Sequence, residues 1–287
     1  MSVLAVAKKD FRDAVRSRTL WALTVLFFLL VSAIGVAYAE FDALSGGDPT
    51  PTGLIFFIAS GVGTYVSLAA LLACYKSVAG ERESGTIKVL LSLPHSRRDV
   101  LVGKWLGRAA VLAIPVVGTF VVGVAIGGVL MGTFAPAATG ALAVMTLFFT
   151  VVYASVYVGI SAMSDSDTRV TLVAVGFFVV VEMLWNVVTL VLLFVANGFS
   201  MPGPGASLPS WYFLAYQVPP SAAFTTSLSA VIPDAGTTMA NAGGGQVPTA
   251  GQFDAFFTTP WLGVVVLLGW GLVPIVLGYR RFSRADL

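Results

Sequence analysis

The lysines and arginines of this chain are confined to a few short stretches. The uncharged runs left between them limit the fold more than any motif does. They occupy 20–39, 49–75, 109–164 and 255–279, with another at 170–196 interrupted only by Glu182. Hydrocarbon offers no partner for a bare N–H or C=O, so a crossing segment is either a helix of about 20 apolar residues or a strand of a closed barrel. Apolarity here is continuous rather than alternating every second residue, which points to helices. The 109–164 run is too long for one crossing, and a polar break near Gly132–Gly140 divides it. Six spans are predicted, at 20–39, 54–77, 105–130, 141–163, 171–196 and 260–279. The chain reads as an all-α polytopic membrane protein, a single transmembrane domain over 1–287. A soluble core does not account for a composition that is 57% hydrophobic and only 10% charged.

With both termini placed in the cytoplasm, all sixteen Lys and Arg residues fall on the inner side, against eight Asp and Glu. The outer segments carry Glu40, Asp42, Asp48, Asp234 and Asp254 and no basic residue. The positive-inside rule is satisfied throughout, so a multi-pass cell-membrane protein with cytoplasmic termini is expected. The basic excess is then an orientation signal rather than a nucleic-acid footprint. Ala37-Tyr38-Ala39 resembles a signal-peptide cleavage site, but the later loops need an inward start, which favours an uncleaved first helix. Cys74 is the only cysteine, which excludes an internal disulfide or thiolate cluster.

Outside the spans, 2–18 reads as an amphipathic helix in the cytoplasmic interface. Leu4, Ala7, Phe11, Ala14 and Val15 form its apolar stripe, and Lys8, Arg12 and Arg16 line another face. In the inner segment 76–108, Gly85 permits a turn, and Ser84 or Thr86 can cap the helix after it. Ile87 to Leu93 is then a two-turn apolar helix stopped by Pro94, and Ser96 with Asp99 forms a capping-box variant. Arg97 and Arg98 oppose the dipole of the helix that Ser96 opens, so lipid phosphate or a partner is expected to set their position. A short apolar helix in the cytoplasm needs a cover, either another protein or the membrane surface. The extracytoplasmic segment 197–259 is rich in Gly and Pro, and Trp211-Tyr212-Phe213 and the 218–232 region read as interfacial helices.

Chemistry-bearing residues are few. No phosphate loop is present, and His95, beside Pro94, has no companion ligands. No catalytic residue, metal site or resident cofactor is expected. Glu182 stands midway through the fifth span, with Asn186 one turn along the same face to share a hydrogen bond. An interhelical polar contact, a place on a substrate path and a proton-titrating group all fit that position. Gly61 with Tyr65 offers a close-approach surface for a neighbouring helix.

The run Glu81-Arg82-Glu83-Ser84-Gly85-Thr86-Ile87-Lys88-Val89-Leu90-Leu91-Ser92-Leu93-Pro94-His95-Ser96-Arg97, with Gly103-Lys104 beyond it, resembles the signature of ABC-2 type permeases. Within that superfamily the chain is similar to the branch of the copper and nitrous-oxide-reductase maturation permeases and the sodium-efflux-like permeases. The resemblance implies a type V exporter-like permease fold and a transporter half with two permeases and two ATPases. The second permease is a copy of this chain or a related one. ATP and Mg belong to the partner ATP-binding subunit. It also makes 2–18 the elbow helix and 81–104 the cytoplasmic coupling segment. Glu81, Glu83, Gly85, Thr86, Leu90, Leu91, Pro94 and Arg97 are then the residues facing the ATPase. Glu81 and Glu83 would pair with its basic residues, and Leu90 and Leu91 would supply apolar contact. Export is the expected direction. A membrane scaffold or sensor run by a partner ATPase, or a stand-alone secondary transporter, is the alternative reading.

Overall fold

A computed structural model describes residues 3–45, 51–88, 96–131, 135–201, 209–232 and 259–285. All regular structure among them is helical. The elements are α1 (Val3–Val15), α2 (Arg18–Ser45), α3 (Pro51–Cys74), α4 (Ala79–Glu83), α5 (Arg97–Met131) and α6 (Pro136–Met163). Beyond them come α7 (Asp167–Phe177), α8 (Trp185–Ala196), α9 (Ser210–Tyr216), α10 (Pro220–Val231) and α11 (Pro260–Ser283). Five stretches are long and apolar enough to cross a membrane: Leu20–Tyr38, Gly61–Glu83, Arg97–Thr119, Pro136–Met163 and Pro260–Ser283. A sixth crossing comes from Asp167–Met183 and Trp185–Ala196 taken as one span, bent by 60°.

That bend has a local cause. After α7 the chain continues as a π-helical stretch over Phe178–Met183, closed by the Leu184 amide donating to the Val179 carbonyl at 2.9 Å. One extra residue enters the turn, the ladder breaks at Leu184, and α8 restarts in a new direction.

The core is built around α6, which buries an unbroken row from Val152 to Ala162. Apolar burial drives helix association weakly inside a bilayer, because lipid tails are as apolar as leucine, so close backbone approach has to hold the bundle. The contact between α6 and α11 is the most extensive in the bundle. A Cβ on Gly278 would lie 2.8 Å from the Gly159 carbonyl, and one on Gly159 would run into the backbone of Pro274. One turn before Pro274, where proline interrupts the helical ladder, the Ser155 hydroxyl donates to the Gly271 carbonyl. The Gly61 surface acts as expected. A Cβ there would meet Ile34 of α2 at 2.6 Å, while Tyr65 stacks on Phe27 and donates to the Leu23 carbonyl.

Two peripheral helices are held by the bundle. α1 forms with Ala7 and Ala14 of the expected stripe buried beside Val6 and Asp10, Phe11 and Val15 packed against Leu20 and Val111, and Leu4 exposed. The helix lies against α5, which receives it through glycines. A Cβ on Gly103 would meet Val6 at 2.6 Å, and one on Gly107 would meet the Ala7 carbonyl at 2.9 Å. Lys8, Arg12 and Arg16 are exposed, as their spacing suggests. The 218–232 region does not rest on a surface. α10 inserts between α3, α6 and α11, with Ala223, Phe224, Ser227 and Leu228 fully buried. Its small residues make this feasible. Gly263 of α11 sits where a Cβ would be 2.5 Å from the Ala223 carbonyl, and Phe224 stacks on Phe149 at 4.5 Å. Two indoles hold the turn between α9 and α10. Trp185 donates to the Ala215 carbonyl at 2.7 Å and Trp270 to the Val218 carbonyl at 2.8 Å.

Candidate coupling site and intramembrane carboxylate

At the end of α3 the chain turns into α4, whose first amide groups need acceptors. Ser161, on α6, supplies one: its Oγ accepts from Val78 N at 3.0 Å and Ala79 N at 3.1 Å. α4 then ends at Gly85, whose φ of +74° is a left-handed conformation that glycine adopts without strain. The Lys88 amide donates to the Gly85 carbonyl at 3.0 Å, so a second helical turn starts there, with Ile87 buried. Ser84 and Thr86 flank Gly85, with their hydroxyls 2.9 Å apart. Both hydroxyls reach back to the Glu81 carbonyl, each at 3.4 Å, because the left-handed glycine folds them towards the helix just completed.

Charges lock this short helix to its neighbours. Glu81 Oε1 lies 2.7 Å from Lys104 Nζ on α5, and Lys104 also reaches Asp10 Oδ1 of α1 at 3.5 Å. Asp10 pairs with Arg108 Nε at 2.8 Å, and Arg108 donates to the Ala73 carbonyl at 2.6 Å. The Lys104 side chain is 3% exposed. A cation buried that deeply is tolerated only when paired, so the network fixes α1, α3, α4 and α5 relative to one another. On the other flank, Glu83 Oε2 accepts from the Asp167 amide at 2.5 Å, Lys76 Nζ sits 2.6 Å from Asp167 Oδ2, and Arg82 donates to the Ser164 carbonyl at 3.0 Å. Asp165, in the same turn, is held below the usual carboxylate range by a backbone hydrogen bond and by Arg169.

The predicted capping box is present. Ser96 N and Oγ donate to Asp99 Oδ2 at 3.1 and 2.7 Å, and Asp99 N returns a bond to Ser96 Oγ at 3.1 Å. Arg97 is engaged within the chain. Its guanidinium donates to the carbonyls of Phe282, Ser283 and Ala285 at 2.8, 3.1 and 2.7 Å, closing the C-terminus of α11. Those carbonyls carry the negative end of the helix dipole, so an arginine is well matched to them.

Within the bundle, Glu182 sits in the π-helical stretch and accepts a hydrogen bond from the Tyr153 hydroxyl of α6. The Ser221 hydroxyl and amide also approach the carboxylate, and Oε2 is buried without a hydrogen bond of its own. The expected pairing with Asn186 does not form. The extra residue of the π-turn and the 60° bend put Asn186 on an exposed face of α8.

The model of one protein family, described as ABC-2 family transporter protein, matches residues 4–287. The chain belongs to that family. It is 27% identical over 297 residues to a probable ABC transporter permease protein NosY of Pseudomonas aeruginosa, covering 99% of each chain. It is also 30% identical over 200 residues to the Stutzerimonas stutzeri protein of the same description, covering 67% of this chain and 71% of the relative. It is thus a membrane permease related at low identity to NosY-type permeases, and no catalytic or metal-binding signature marks it as an enzyme. Among the described residues no group of three His, Cys, Asp or Glu side chains could hold a metal ion.

For this permease, the structure brings Glu81, Glu83, Gly85, Thr86 and Arg97 to one end of the bundle. Leu90, Leu91, Pro94 and His95 lie outside the described residues. Both glutamates, expected to meet basic residues of an ATPase, have partners within the chain. Sequence reasoning missed Ser161, Asp10 and Tyr153. A usable signal existed for Asp10: Lys104 and Arg108, one turn apart on a largely apolar helix, call for a carboxylate opposite them. Ser161→Ala is expected to weaken α4 by about 1 kcal/mol. Limited trypsin digestion at Arg82 and Lys88 checks this, and cleavage should accelerate relative to that at Arg12.

Proposed function

We propose that this chain is the permease subunit of an ATP-driven exporter, working with a separate ATP-binding subunit in a complex of two permeases and two ATPases. Both termini and segment 81–104 face the cytoplasm in this reading, and 197–259 faces outwards. The observation that carries it is the way α4 is held. Ser161 fixes its start and Gly85 turns its end. Lys104 and the Asp167 amide clamp its two carboxylates. A push on the segment beyond Gly85 is therefore passed to α1, α3, α5, α6 and α7 together rather than absorbed by a loose loop. Nucleotide-driven closure of the ATPases would supply that push, and displacement of the spans would open the path.

In this reading Glu81 and Glu83 hold the lever in place, and contact with the ATPase falls to Thr86 and to the residues beyond it, Leu90, Leu91 and Pro94. Arg97 ties the far end of the segment to the last span. Glu182 is an interhelical contact between the broken span and α6. The test is co-purification with a candidate ABC ATP-binding protein expressed together with the permease. Leu90→Asp/Leu91→Asp is expected to weaken association by about tenfold or more, because apolar anchors dominate such interfaces. Undiminished co-purification would remove the docking assignment. ATP-dependent movement of cargo in vesicles that hold both subunits separates an exporter from a scaffold or sensor. Loss of transport without the ATPase separates it from a secondary transporter.

A further inference from the structure

A basic cleft of about 750 Å³ opens at the end of the bundle that carries α4, lined by Arg82, Arg280, Arg281, Arg284, Met163 and Leu277 among others. Four guanidinium groups converge there, with Asp165 the one carboxylate among the described lining residues. Arg82 gives one N–H to the Ser164 carbonyl. Arg280, Arg281 and Arg284 form no ion pair with any described residue. The one described carboxylate lining the cleft, Asp165, is engaged by Arg169. The end of α11 would ordinarily oppose an anion through its free carbonyls, but Arg97 occupies those of Phe282, Ser283 and Ala285. The result is a concave site for a group with several negative oxygens.

The helix that supplies three of these arginines says what the rest of the ligand looks like. Leu268, Leu272, Val276 and Arg280 succeed one another at intervals of four residues, and Val273, Leu277 and Arg281 run beside them at the same interval. Residues four apart share a helix face, so each row passes from apolar to cationic in a single step. Leu268, Leu272, Val273, Val276 and Leu277 are all exposed, covered by no described part of the chain. A free anion uses the arginines and ignores the rows. A molecule with a phosphate head and acyl tails uses both.

We propose that this cleft binds the headgroup phosphate of an anionic phospholipid, whose acyl chains lie along the Leu268–Leu272–Val276 row of α11. Native mass spectrometry of the full-length chain in mild detergent tests it, with dioleoyl phosphatidylglycerol or dioleoyl phosphatidylcholine added. The native chain is expected to retain the phosphatidylglycerol preferentially. Arg280→Gln/Arg281→Gln/Arg284→Gln should lower that preference about tenfold, and Arg281→Gln alone, the milder change that guards against misfolding, about threefold. Arg12→Gln/Arg16→Gln, which removes exposed charge from α1, should leave it unchanged. Equal retention of both lipids by the native chain, full retention by the triple variant, or equal loss in the α1 variant would overturn the proposal. Displacement of the bound phosphatidylglycerol by millimolar inorganic phosphate would identify a free-anion site instead, and would overturn the lipid assignment.

Discussion

Lys104→Met is expected to destabilise the permease by about 1–3 kcal/mol, because it leaves Glu81, whose side chain is 25% exposed, without its cation and Asp10 with Arg108 alone. The penalty comes from the charge left behind more than from the bond lost. The effect should persist at high salt, since a side chain 3% exposed is poorly screened. Adding Glu81→Gln to Lys104→Met should recover more than half of the loss, which a simple packing defect would not allow. Unfolding titrations in mixed micelles of detergent and dodecyl sulfate read both variants. A single variant indistinguishable from the native chain would mean that water already reaches Lys104.

Gly159→Ala is expected to cost about 3 kcal/mol or more, at the upper end for an overpacked site, because the atoms it meets are backbone and cannot rotate away. The added methyl would lie 2.5 Å from the Pro274 carbonyl carbon and 2.9 Å from its Cβ. α6 and α11 would have to separate, and they form the broadest contact in the bundle. Gly176→Ala is the matched control: it also lies in a helix, and nothing stands within 4 Å of the new methyl. It should be neutral or slightly stabilising, since alanine favours helix. Measuring both by the same unfolding titration separates a steric effect from one of composition. Equal behaviour of the two would mean that the helices do not approach as closely as described.

The spans are legible because membrane energetics write them into the sequence as runs that exclude charge. Pro94 and the Ser96–Asp99 pair mark the start of α5 for an equally local reason, and Gly85 marks the turn after α4. Which face meets what is not legible in the same way. The apolar stripe of α1 suits lipid, but Gly103 and Gly107 on a distant helix make a seat for it, and a glycine seat has no signature in the helix it receives. The aromatic and polar content of α10 suits an interface. Its insertion depends on Gly63 and Gly263, which are also remote. A Glu182–Asn186 pairing assumes α-helical spacing, and a π-turn with no proline to announce it removes that assumption. Glu81 and Glu83 are legible as important acids. Their partners, Lys104 and an amide more than eighty residues away, are not.

The three carbonyls gripped by Arg97 bear on how the protein is handled. The last helix ends against the first turn of α5, so a sequence appended to the C-terminus emerges beside the segment proposed to meet the ATPase. An affinity handle placed there would crowd that region and could mimic a coupling defect, and the start of α1, packed on Gly103, is scarcely roomier. The loop between α6 and α7 around Asp165 borders the same cleft. A handle placed just after Ala196, at the end of the broken span remote from Asp167, would leave the lever and its latch untouched.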